Sequence, residues 1–188
     1  MVNTRRDKVQ NLILRILSDL GYPVYKTSLV KLTYFIDYFH IRQTGRSVTD
    51  IRWVWDNHGP NGSRNEIVKE ADALVVAGEI ESKAAPEGET ARVYQSLNDS
   101  KVTYKPILEA IIGEVLTNYA SLDIDELKQA SKETLPFQNA RPGGPLILSQ
   151  TEHTIPPATE EDWKKHQQER LLEQGKTVGE LRANYKMD

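Results

Sequence analysis

Leu29-Val30-Lys31-Leu32-Thr33-Tyr34-Phe35-Ile36-Asp37-Tyr38-Phe39-His40 is the stretch on which the fold turns. Its apolar residues do not keep to one stripe. At helical spacing they cover nearly the whole circumference, which predicts a helix lying inside the molecule rather than on its surface. Thr27 or Ser28 is the expected N-cap, and the helix is expected to fade at Gln43-Thr44-Gly45. Lys31, Asp37 and His40 are then the odd members, because a buried charge or polar ring must find a partner.

Upstream, Val9, Leu12, Ile13, Ile16, Leu17 and Leu20 mark one face of a first helix, stopped by Gly21 and barred from continuing by Pro23. Downstream, Ile51 to Asp56 is β-branched and aromatic and reads as a short strand, followed by the turn signal Asn57-His58-Gly59-Pro60-Asn61-Gly62. A third helix is expected from Arg64 to Ala77. Two strands follow, Glu79 to Ala84 and Ala91 to Leu97, joined around Pro86-Glu87-Gly88. Pro106 opens a fourth helix, and Asp123 with Glu126 forms a capping box for a short fifth one ending before Leu135-Pro136-Phe137.

Pro156-Pro157 marks a change of character. From Thr151 to Asp188 the chain is polar, with a charged helix expected near Glu160 to Glu173 and Trp163 its largest apolar anchor. The expected architecture is therefore α+β and predominantly helical: a domain over 1–150 with about five helices and a small antiparallel sheet, and a C-terminal helical arm over 151–188. The arm is a candidate for docking on the domain, on a second copy or on a partner.

Composition narrows the chemistry. The 188 residues include no cysteine, which removes disulfides, thiolate nucleophiles and cysteine-held metals. It also makes a cytoplasmic location the default expectation. No apolar run reaches the roughly 18 residues of a membrane span, and the N-terminus lacks the pattern of a signal peptide. The net charge is −3, unhelpful for holding a phosphate backbone.

The helix–strand–turn–strand outline over 65–97 is that of a winged helix and raises DNA binding. Yet Pro60 to Lys105 carries six basic residues against eight acids, and Glu66, Glu70 and Asp72 sit on the would-be recognition helix. Such a face repels phosphate.

Asp37 and His40 lie three apart on one helix, and His58 in its Gly-Pro turn is a candidate to join them. Such a trio suits metal binding or proton transfer. The alternative is that Lys31, Asp37 and His40 neutralise one another inside the fold. Neither a paired-histidine zinc motif nor a Gly-rich phosphate loop is present, so no cofactor is expected and no catalytic residue is assigned. Trp53 and Trp55 alternate along the strand; each is either core or an interface anchor.

In order along the chain, Lys31, Leu32, Tyr34, Asp37, His40, Thr44, Gly45 and then His58, Gly59 and Pro60 resemble the signature of the Panacea domain. This is the SocA-like antitoxin family, also met in phage-associated proteins. The resemblance extends over roughly Asp7 to Ala140. It departs where the family tends to carry histidine and Pro-Trp: here Lys132 and Pro136-Phe137 stand. The resemblance implies a non-enzymatic antitoxin that binds a protein toxin encoded by a neighbouring gene. It also keeps open an adaptor that hands the toxin to a protease; the winged-helix outline adds a DNA-binding autorepressor as a further alternative. The surface expected to meet the partner comprises Trp55, His58 and Trp163, with a homo-oligomer through the arm as a further possibility. Lys31, Tyr34, Asp37, His40, Gly45, Gly59 and Pro60 are expected to serve structure.

Overall fold

The structure is a computed structural model that describes residues 4–85 and 88–149. The C-terminal arm expected from 151 onward, with Trp163, lies outside these residues. Helix α1 (Arg5–Leu20) opens on a capping box in which Thr4 and Asp7 satisfy each other's backbone N–H, and closes on Gly21 at φ 66°. A two-residue strand β1 (Val24–Tyr25) leads directly into α2 (Lys26–Thr44). Neither Thr27 nor Ser28 caps α2: its N-cap is Tyr25, with no side-chain hydrogen bond, because Lys26 already continues from the paired strand. Gly45 ends the helix in the left-handed region, at φ 70°.

All residues from Leu29 to Phe39 are buried. The reason is that α2 is surrounded, by α1, by α3 (Glu66–Val76), by α4 (Pro106–Tyr119) and by α5 (Ile124–Lys132). Its aromatic residues fill the centre. Tyr34 meets the edge of Trp53 at 5.2 Å, and Phe35 stacks on Tyr119 at 4.1 Å between ring centres.

The strand expected over 51–56 shrinks to β2 (Trp53–Val54), paired with β3 (Asn61–Gly62), so the expected turn itself supplies a strand. Pro145 bridges the other side of Val54, and the Leu146 N–H donates to the Trp53 carbonyl at 2.9 Å. Helix α3 starts later than Arg64 because Arg64 and Asn65 both take positive φ (64° and 56°), which a helix cannot continue through. A three-residue 3₁₀ turn (Ser63–Asn65) occupies that position.

Strands β4 (Ile80–Ala85) and β5 (Gly88–Ser96) form an antiparallel hairpin, and β1 adds to its far side to give the order β1-β5-β4. Asp123 and Glu126 form the expected capping box of α5. A four-residue helix, α6 (Leu135–Gln138), follows where none was expected; Thr134 is its N-cap and Pro136 lies in its first turn. The described residues thus hold six α-helices, five of them longer than one turn or two, and two small antiparallel sheets. The fold is mostly helical α+β. None of these helices is long and apolar enough to cross a membrane.

Candidate functional site

Lys31, Tyr34, Asp37 and His40 are spaced three apart. At about 100° per residue each step falls roughly 60° short of a full turn, so the four side chains fan over half the helix. They cannot all converge on one point: Asp37 and His40 meet the loop after α2, Lys31 meets Pro60 and Tyr34 meets Thr134.

Asp37 is fully buried and held by donors from one loop. Ser47 Oγ donates to Oδ1 at 2.8 Å, the Val48 N–H to Oδ1 at 2.7 Å, Thr49 Oγ1 to Oδ2 at 2.7 Å and Trp53 Nε1 to Oδ2 at 2.8 Å. The Thr49 N–H adds a longer contact at 3.4 Å. Among the described residues no cation pairs with this carboxylate; neutral donors satisfy it instead. The loop they belong to includes Asp50 at φ 55°, whose N–H donates to Ser47 Oγ at 2.7 Å. One carboxylate therefore fixes both the loop after α2 and the indole of Trp53.

Lys31 faces the other way. It is 3% exposed, and its Nζ donates to the Pro60 carbonyl at 2.6 Å. Burial drives its pKa down to about 7; the Asp56 carboxylate resists this, while the Lys132 and Lys128 ammonium groups add to it. The His58-Gly59-Pro60 turn closes directly over it. The Gly59 N–H donates to the Asp56 carbonyl at 2.9 Å, and Gly59 sits at φ 90°. A Cβ there would stand 2.5 Å from Ser131 Oγ and 3.3 Å from Lys31 Nζ, so only glycine lets the turn approach α5 this closely.

Tyr34 reaches the end of α5: its hydroxyl pairs with Thr134 Oγ1 at 2.6 Å, and Thr134 in turn donates to the Ser131 carbonyl at 2.8 Å. Burial pushes the Tyr34 pKa far up, so the phenol stays protonated. His40 lies at the half-exposed end of α2, with Nδ1 2.7 Å from the Arg46 carbonyl, and Thr44 Oγ1 donates to the His40 carbonyl at 2.8 Å.

The expectation that Lys31, Asp37 and His40 neutralise one another is therefore corrected: no hydrogen bond or ion pair joins any two of them. Each is satisfied by loop backbone or hydroxyls instead. The trio of Asp37, His40 and His58 does not assemble either. Asp37 is sealed by its donors, His58 is exposed, and no group of three or more metal-ligating side chains occurs among the described residues.

Of the two tryptophans, Trp53 is core at 1% exposure and Trp55 is half-buried, its ring stacked on Phe137 at 5.2 Å. The Trp55 N–H donates to the Gly144 carbonyl at 2.8 Å, tying the segment after α6 to the same place. Sequence reasoning missed Ser47, Thr49 and Thr134. Their hydroxyls complete the Asp37 and Tyr34 sites, and the cue available was the run of small hydroxyl residues just past the helix end.

Fold and site together define a class: a mostly helical α+β domain in which one buried helix uses its polar residues to pin successive loops around itself. The family model described as antitoxin SocA-like, Panacea domain, matches residues 29–136. That is more than half of the 188 residues, and the chain belongs to this family. No curated protein and no solved structure matches the chain.

Proposed function

We propose that this protein is an antitoxin that neutralises a protein toxin, the product of a neighbouring gene, by direct binding. Family membership carries the reading. The arrangement of the motif supports it, since Lys31, Tyr34, Asp37 and His40 are all engaged within the fold. A motif used up in holding loops leaves recognition to whatever those loops present.

What they present beside the pinned turn is the exposed imidazole of His58 and the half-buried ring of Trp55. A rigid aromatic with a polar rim is the usual anatomy of an interface anchor. Trp163 and the residues from 151 to 188 lie beyond the stretch matched to the family; in this reading they give the second contact, the one peculiar to this chain's own partner.

Affinity for the neighbouring gene's product, measured by calorimetry for the wild type and for His58→Ala and Trp163→Ala, tests this assignment. Each variant weakens binding by at least about tenfold while the melting temperature holds, the size expected of an interface anchor. Unchanged affinity in both variants removes this surface from the account. Toxin abundance in cells distinguishes mechanisms: a stoichiometric neutraliser leaves it constant, whereas an adaptor for a protease lowers it.

A further inference from the structure

Strand β4 is the outer strand of the three-stranded sheet, and no described strand pairs with its free edge. An open edge is a template for another strand unless something blunts it. The register with β5 is regular from Ile80 to Ala84 and shifts between Ala84 and Ala85, so the bulge limits the usable edge to Ile80–Ala84. The centre of that stretch is Ser82.

Glu81 and Lys83 flank Ser82, and their side chains share one face of the strand. Both are accessible, at 34% and 64%, and they bridge each other at 2.8 Å. The free edge therefore carries no net charge to keep a copy of itself away.

We infer that β4 is a homodimerisation edge, pairing antiparallel with β4 of a second copy about a two-fold axis through Ser82. Full overlap of the regular stretch sets Ile80 opposite Ala84 and Ser82 opposite itself. It also sets Glu81 opposite Lys83 of the copy, twice over by symmetry, which is how an isologous interface must be built. Keeping each face on its own side, the register slides only in steps of two residues. One step brings Glu81 against Glu81; the opposite step brings Lys83 against Lys83. The charge pattern thus selects the same register that buries the most edge. The pairing joins the three-stranded sheets of two molecules into one six-stranded sheet.

Sedimentation equilibrium of the full chain over a wide concentration range tests the proposal. The wild type associates to a dimer. Lys83→Glu and Glu81→Lys each weaken association by at least about tenfold, because like charges then face each other across the axis. The double variant Glu81→Lys with Lys83→Glu regains wild-type association. Circular dichroism checks that all three variants are folded. The chain has no cysteine, so Ser82→Cys introduces a single thiol at the axis, where opposite Cβ atoms lie about 4.5–5.5 Å apart. Mild oxidation converts this variant to a disulfide-linked dimer. A wild type that stays monomeric, single variants that dimerise like the wild type, a charge-swapped double that does not recover, or a Ser82→Cys chain that does not cross-link would each overturn the inference.

Discussion

Replacing Asp37 by asparagine changes one oxygen to an NH₂ group and almost nothing else in shape. Two donors around the carboxylate cannot adapt. The Val48 N–H points at Oδ1 and the Trp53 indole N–H at Oδ2, at 2.7 and 2.8 Å. Whichever way the amide is turned, one of them faces an N–H instead of an oxygen. The hydroxyls of Ser47 and Thr49 can rotate to accept, and so recover part of the loss. Leaving a buried donor unmet costs about 1–3 kcal/mol, and the incoming NH₂ brings a similar burden. The loss of charge-assisted bonding at the remaining contacts adds to this, giving a total of about 3–5 kcal/mol. For a chain of this size each kcal/mol is worth roughly 2–4 °C, so Asp37→Asn lowers the melting temperature by about 10 °C. Urea unfolding followed by circular dichroism gives the free energy directly. A loss below about 1 kcal/mol would show that the carboxylate is not what holds the loop, and the reasoning built on its donors would fail.

Lys31 makes a prediction about pH. Its folded pKa is depressed to about 7, below the ordinary lysine value, so between the two the unfolded chain binds more protons than the folded one. Stability therefore rises as pH climbs from about 7 toward the unfolded value and is lowest below it. Lys31→Met removes this rise, and urea midpoints at pH 7 and pH 9 compare the two proteins; equal slopes would refute it. Gly59→Ala combines a strained φ with a Cβ set against Ser131 Oγ, and is expected to destabilise by about 2–4 kcal/mol by the same assay. A near-neutral result would mean that the turn can lift off α5 without cost.

Long-range placement was legible where periodicity was strong. The wrap-around apolarity of Leu29 to Phe39 announced a central helix, and α2 is buried along that whole stretch. Gly21, Gly45 and the Asp123–Glu126 box ended or began helices where they stood in sequence. The elements that escaped are those decided by partners rather than by local preference. Val24–Tyr25 is a strand because β5 lies beside it, and Asn61–Gly62 because Trp53–Val54 does. Helix α6 is a single turn that propensity alone would not single out.

The site divided in the same way. That Lys31, Asp37 and His40 needed partners followed from their place on a buried helix. Which partners they have did not, because three-residue steps fan the side chains apart, whereas the sequence reading paired the charged residues with one another and with His58. Asp37 is answered from residues 47–53, Tyr34 from Thr134 and Lys31 from Pro60. Each of these contacts depends on tertiary closure that no local pattern encodes. The family signature, by contrast, was readable as an ordered set of residues from 31 to 60, and the family match contains all of it.

Co-expression with the product of the adjacent gene, scored for growth and for co-purification in the same culture, tests the central claim most directly. The account predicts that the gene product alone arrests growth, that this chain restores it, and that the two proteins purify as a complex. Arrest that this chain does not relieve, with no complex recovered, would contradict it.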